Sequence, residues 1–322
     1  MSSADSAADV LLLEPRDVPL GGQRAMTVRR TLPARQRSFV GAWCFADHYG
    51  PDDVAETGGM DVAPHPHTGL ATVSWLFEGE IEHRDSAGVV ACVRPGEMNL
   101  MTAGAGICHS EVSTAETSTL HGVQLWVVLP EDAADAPRDF QHHRPSPTQP
   151  ADGVELRVMV GEMAGQSSPV TFPTPLLGAE VRLAPGATWQ VPVREAYEHG
   201  VLLDIGSLTV EGEELQRGGL AVIDAGPTGI EVTAGEDGAR FMLLGGEPFT
   251  EEIVLWWNFV GRSHEEVAAF REEWQAEGER FGAVGGYVGQ RSVGGDETPQ
   301  RIPAPELPGV RLKARGRLGK SF

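Results

Sequence analysis

Apolar residues along the chain gather in short runs, each cut by a cluster of Gly, Pro and acidic positions, which is the rhythm of β-strands joined by turns. Between Met60 and Val128 the runs Thr72–Phe77, Val89–Arg94 and Gln124–Leu129 alternate with Glu78-Gly79-Glu80, Asp85-Ser86-Ala87-Gly88, Pro95-Gly96-Glu97 and Gly104-Ala105-Gly106. The rhythm returns between Val154 and Leu244. There Val201–Ile205, Leu220–Ile223, Ile230–Thr233 and Phe241–Leu244 are separated by Glu211-Gly212, Ala225-Gly226-Pro227 and Ala234-Gly235-Glu236-Asp237-Gly238. The pattern predicts an all-β chain of two similar antiparallel sandwich or barrel domains. The first spans 1–140 and the second 154–322, joined by a Pro-rich linker at 141–153 that carries Pro145, Pro147 and Pro150. Helical periodicity stands out once: Ser263 and Glu266 have capping-box spacing, and Val267, Phe270 and Trp274 share one face. One amphipathic helix is expected from Ser263 to Glu277, ended by Gly278.

Composition supports the β reading, because 40 Gly and 23 Pro in 322 residues are more than a helical bundle tolerates. The formal net charge of −21 repels phosphate backbones and anionic lipid, so direct nucleic-acid or membrane binding is not expected. Cys44, Cys92 and Cys108 are an odd number without CxxC spacing, which fits reduced thiols in the cytoplasm. The acidic N-terminal segment does not read as a secretory signal, and no apolar run reaches membrane-spanning length. The basic segment from Val310 to Phe322, with Arg311, Lys313, Arg315, Arg317 and Lys320, reads as a tail that folds back or stays solvated.

Candidate chemistry concentrates in the first domain, where His65, His67, His83, His109 and His121 fall within 57 residues. Residues i and i+2 of a strand point to the same face. His65-Pro66-His67 therefore presents two imidazoles together, and His109-Ser110-Glu111 presents an imidazole and a carboxylate. Two such strands side by side would make a metal site of three histidines and one carboxylate, with Cys108 and Ser110 facing away. That donor set suits Fe(II), Mn(II), Ni(II), Cu(II) or Zn(II) and leaves coordination positions for water, substrate or dioxygen.

Gly59, five residues and then HPH at 65–67 resembles the first motif of the cupin superfamily, and Pro95-Gly96 followed by His109 resembles the second. More narrowly, HPHTGLATVSWLFEGEIEHRDSAG (65–88), RPGEMNLMTAGAGICHSE (94–111) and HGVQLWVVLP (121–130) resemble the pirin family of bicupins. LPARQRSFVGAWCFADHYGP (32–51) and LLGGEPFTEEIVLWWNFVGRSHEEV (243–267) extend the likeness over most of the chain. The resemblance implies two cupin-type jelly-roll barrels, the N-terminal one holding a single metal, usually iron, on His65, His67, His109 and Glu111. The second domain has only His199 before the helix, which resembles the metal-free second cupin of pirins. Two departures stand out. Ala71 replaces the Glu common four residues beyond the second histidine, and Thr68 follows HPH where a bulky or charged residue is usual, which would open the pocket mouth.

The family resemblance implies two functional readings. One is a monomeric, iron-dependent dioxygenase that takes O2 and a phenolic or enolic substrate such as the flavonol quercetin, opening its ring with loss of carbon monoxide. Glu111 would then accept the substrate's hydroxyl proton. The other is a metal-loaded, redox-responsive regulator acting through a protein partner. Elsewhere the plainer assignments are preferred: His83 as a solvated turn histidine over a residue behind the metal ligands, Trp75 and Trp126 as core over a stacking surface for a substrate ring, Met98 and Met101 as fillers of the barrel over cavity lining, and Trp256 and Trp257 as interdomain core. His121 reads equally as a sheet-edge hydrogen bonder or as pocket lining.

Overall fold

The computed structural model describes residues 8–20, 26–289 and 301–318. Strands dominate, as the turn rhythm requires, and they fall into two compact units. One unit comprises Met1–Pro15, Phe39–Trp43 and Pro145–Phe249, and the other Arg16–Ser38, Cys44–Arg144 and Thr250–Phe322. The sequence segments expected as domains are thus interleaved. Val10–Leu13 pairs with Leu220–Ile223, which assigns it to the later unit. The helix and the C-terminal segment, expected with the second domain, cluster instead with the histidine-bearing unit. Val267 and Trp274 of the helix bury against Cys108, Phe259 and Phe281 in that unit's core. The expected linker is mostly strand: Asp139–His143 pairs with Met98–Thr102, Thr148–Ala151 pairs with Val154–Val160, and the units divide between Arg144 and Pro145.

The histidine-bearing unit contains a seven-stranded sheet ordered Asp139–His143, Met98–Thr102, Leu70–Glu78, Thr119–Val128, Trp43–Asp53, Met26–Leu32 and Arg16–Leu20. A four-stranded sheet is ordered Asp61–His67, Ile107–Ser113, Ile81–Asp85 and Val90–Val93. Asp61–His67 lies at the edge of this sheet, which is why its backbone tolerates Pro64 and Pro66 within the strand. The other unit is built on a nine-stranded sheet around a core that includes Leu156, Val181, Val201, Phe241 and Leu243. Here one expected turn is absent. Residues 234–238 lie inside the continuous strand Gly229–Gly246, where Gly206 and Leu208 face Ala239 and Ala234, so the turn-like residues form a bulge.

The helix runs from His264 to Gln275, and Ser263 caps it by accepting the backbone N–H of Glu266. Glu277, at φ +56°, takes the left-handed position after the helix that the sequence reading gave to Gly278. The C-terminal segment folds back onto this helix. Leu312 donates its backbone N–H to His264 Nδ1 at 3.1 Å, Arg311 forms an ion pair with Glu265, and Arg315 exchanges backbone hydrogen bonds with Ile253. Lys320 lies outside the described residues. Cys44, Cys92 and Cys108 are free, and no helix among the described residues is long and apolar enough to cross a membrane.

Candidate metal centre

Asp61–His67 and Ile107–Ser113 run antiparallel with His65 opposite His109 and Ile107 opposite His67. Alternation brings the three imidazoles to one face. A register shift follows, since Glu111 lies opposite Val62 rather than Ala63, so the edge strand bulges beside the site. At this bulge the Ala63 carbonyl accepts a hydrogen bond from His65 Nδ1 at 2.9 Å, which leaves the Nε2 lone pair of His65 free. His67 Nε2 and His109 Nε2 lie 3.1 Å apart. One ligand atom from each of His65, His67 and His109 can be chosen so that all lie within 4.8 Å of one another.

Glu111 is placed differently. Its carboxylate falls within 4.8 Å of ligand atoms of His109 and His83, and it lines the same cavity as the three histidines. The Ser74 hydroxyl lies 3.2 Å from Glu111 Oε1 and 2.9 Å from Gln124 Oε1, tying the carboxylate to the neighbouring sheet.

Burial sets the electrostatics. Desolvation lowers the pKa of His65 to about 4 and holds His67 and His109 well below the ordinary imidazole value, a shift that the neighbouring histidines reinforce. Burial pushes the Glu111 carboxyl up, with His83 and the Ser74 hydrogen bond acting in the opposite direction. Near neutral pH the centre therefore offers uncharged imidazoles whose ring nitrogens lie close to one another. This is the state in which histidine binds a divalent metal, and three nitrogens with a carboxylate oxygen nearby fit Fe(II) or a similar ion.

The cavity measures about 430 Å³ and is walled by aromatic rings. Phe45 stacks on Trp126 with centroids 3.9 Å apart and planes 9° from parallel, and the Arg30 guanidinium covers Phe45 at 4.2 Å. Arg30 is held by a two-pronged ion pair with Asp47 at 2.7 and 2.8 Å. Trp126 meets His67 edge-on at 5.1 Å. Trp257, Asn258, Ile302, Pro303 and Pro305 supply further wall.

Several sequence assignments change here. His83 is only 3% exposed and lies against His109, because its strand pairs directly with the strand carrying His109. Trp126 and Trp257 wall the cavity instead of serving only as core. Trp75, Met98 and Met101 are buried and are not among the lining residues, and Met101 packs with Ala103 and Ile107. Thr68 does not open the mouth; it is buried and donates to the Val260 carbonyl at 3.2 Å. His121 packs edge-on against His48 and Phe77, also outside the lining. The Cys108 thiol points to the Gly282 carbonyl in the core behind the strand. Pairing of His83 with the HxE strand was the one signal that would have moved it into the site, and single-sequence periodicity does not supply strand order.

Two β units, one of them carrying histidines and a glutamate on adjoining strands, define a bicupin with a candidate metal site in one unit. The family comparison agrees: residues 24–127 match the Pirin model and residues 178–282 match the Pirin C-terminal cupin domain, so the chain belongs to the pirin family. It is 41% identical to a Pseudomonas aeruginosa protein named "Putative quercetin 2,3-dioxygenase", over 86% of this chain and 87% of that one. It is 36% identical to a pirin-like protein of Caulobacter vibrioides, over 83% of this chain and 93% of that one. The crystal structure of a quercetin 2,3-dioxygenase from Acinetobacter baumannii superposes with a TM-score of 0.86 at 36% identity, covering 97% of this chain and 98% of that one.

Proposed function

We propose that the protein is a metal-dependent dioxygenase acting on a flat phenolic or enolic substrate, with a flavonol such as quercetin as the first candidate. The observation that carries this reading is the convergence of three uncharged imidazoles on a cavity that is also walled by a stacked Phe45–Trp126 pair. The relatives named for quercetin dioxygenation support the same substrate class.

His65, His67 and His109 would hold one divalent metal, Fe(II) by preference, with Glu111 as the carboxylate donor. When bound, the metal supplies the Lewis-acid and redox chemistry that brings an oxidisable enol together with dioxygen. The residues of the chain do the rest. The Phe45–Trp126 wall offers stacking to an aromatic ring and limits its orientation. Arg30 adds positive charge above that wall, suited to a substrate that carries oxygen anions. Glu111, beside His109 and held by Ser74, is the carboxylate placed to accept the substrate's hydroxyl proton. Ser74, in contact with both Glu111 and Gln124, steadies the carboxylate for that transfer. Ala71 leaves no carboxylate at its position, so proton acceptance falls to Glu111.

Oxygen uptake after anaerobic reconstitution with Fe(II) tests the proposal. Quercetin-dependent oxygen consumption is expected, with Glu111→Gln lowering kcat by about 100-fold or more through loss of the base. Metal bound at the site without turnover of any phenolic or enolic substrate would refute the enzymatic reading.

A further inference from the structure

We infer that Asp85 and His83 form a positioning relay that fixes His109 in the tautomer able to act as a metal ligand. The inference rests on the metal-centre reading above and adds two residues that themselves touch neither metal nor substrate.

The strand Ile81–Asp85 lies beside Ile107–Ser113 with Asp85 opposite His109 and His83 opposite Glu111. His83 Nδ1 faces His109 Nδ1 at 3.3 Å, and His83 Nε2 lies 3.2 Å from Asp85 Oδ2. The other carboxylate oxygen, Oδ1, accepts the backbone N–H groups of Ala87 at 2.8 Å and Val89 at 3.1 Å, which pins the Asp85 side chain in its turn. His83, Asp85 and His109 are all buried, and Phe140 packs against the His83 ring at 5.0 Å.

These contacts determine where the protons sit. An ionised carboxylate only accepts, so His83 Nε2 carries the proton toward Asp85. A neutral imidazole has a single N–H, which makes His83 Nδ1 an acceptor. His109 Nδ1 must then donate to it, and His109 Nε2 keeps its lone pair on the side where it meets His67. The ligand atoms of His83, His109 and Glu111 also fall within 4.8 Å of one another, a spacing that would suit His83 as a ligand in its own right. The relay argues otherwise, because both His83 nitrogens are already engaged. A carboxylate behind a liganding imidazole orients the ring and makes its free nitrogen a better donor, and here an extra imidazole carries that influence.

The test uses the full chain and Co(II) as the probe, titrated anaerobically against a competing chelator while its d–d absorption is recorded. Asp85→Asn keeps the shape of the side chain. Its amide oxygen stays on the Ala87 and Val89 N–H groups, so its NH2 group faces His83 Nε2. His83 is then protonated at Nδ1, meets His109 with a donor, and drives His109 to the Nε2–H tautomer. Co(II) affinity is expected to fall about 10- to 100-fold in Asp85→Asn and in His83→Leu, with an altered spectrum. His83→Asn places Oδ1 where Nδ1 was and should restore affinity to near the wild-type value. The melting temperature of metal-free Asp85→Asn, unchanged from wild type, separates lost positioning from lost folding. Wild-type affinity in both Asp85→Asn and His83→Leu would overturn the proposal, as would a His83→Asn variant as weak as His83→Leu. If the wild type takes up no Co(II), or His109→Ala binds as tightly as the wild type, the metal centre itself fails and the relay with it.

Discussion

His65, His67, His109 and Glu111 are ionisable groups held where charge is costly, and their usefulness follows from that cost. Burial keeps the imidazoles neutral, so their nitrogens are open to a cation near neutral pH. His199 shows the same physics away from the metal centre. It is 1% exposed, its ring nitrogens have no hydrogen-bond partner among the described residues, and burial lowers its pKa to about 4. Because the folded-state pKa lies below the ordinary 6.5, the unfolded chain binds the proton first. The contribution of His199 is therefore present above pH 6.5 and is lost as pH falls toward 4, by about 1.4 kcal/mol per pH unit. Urea denaturation at pH 7 and pH 5 should show the wild type losing about 2 kcal/mol more than His199→Leu between the two. Parallel losses in the two proteins would mean that His199 takes up its proton as readily in the folded state. The HxH and HxE spacings made the candidate ligands legible because side-chain alternation is a local property of a strand. The roles of His83, Phe45 and Trp126 depend on which strands lie side by side, and no local pattern encodes that.

At the scale of elements, the positions that local rules govern were legible and those governed by pairing were not. Ser263 caps the helix as its spacing predicts, and Val267 and Trp274 are buried on the expected face. Residues 234–238 have turn composition, yet pairing with Glu198–Val210 carries the strand through them. The helix also supports the segment that reaches the cavity wall. Trp274 donates its indole N–H to the Ile302 carbonyl at 2.9 Å, and Gln275 Oε1 accepts the Ala304 N–H at 2.8 Å. Loss of the cap should therefore reach beyond one helical turn. Ser263→Ala is expected to cost about 1 kcal/mol in thermal or urea denaturation, with faster amide hydrogen exchange at Ala304. Exchange at Ala304 unchanged from wild type would show that the segment holds its place independently of the cap.

For the whole molecule, the number and class of domains could be read from the turn rhythm, but their boundaries could not. The first strand and the C-terminal segment each cluster with the unit that lies farther away in sequence. Such exchanges leave no mark on composition or periodicity, because a strand reads the same whichever sheet it completes. The centre nevertheless lies wholly within one unit, on strands and a C-terminal segment that close around a single cavity. The claim that these residues form a metal centre is tested most directly by anaerobic Fe(II) titration of metal-free wild type beside His109→Ala, with bound iron measured per chain. We expect about one iron per wild-type chain and loss of tight binding in the variant, since removing His109 takes away the imidazole that faces both His67 and His83. Full iron binding by His109→Ala, or none by the wild type, would contradict the assignment.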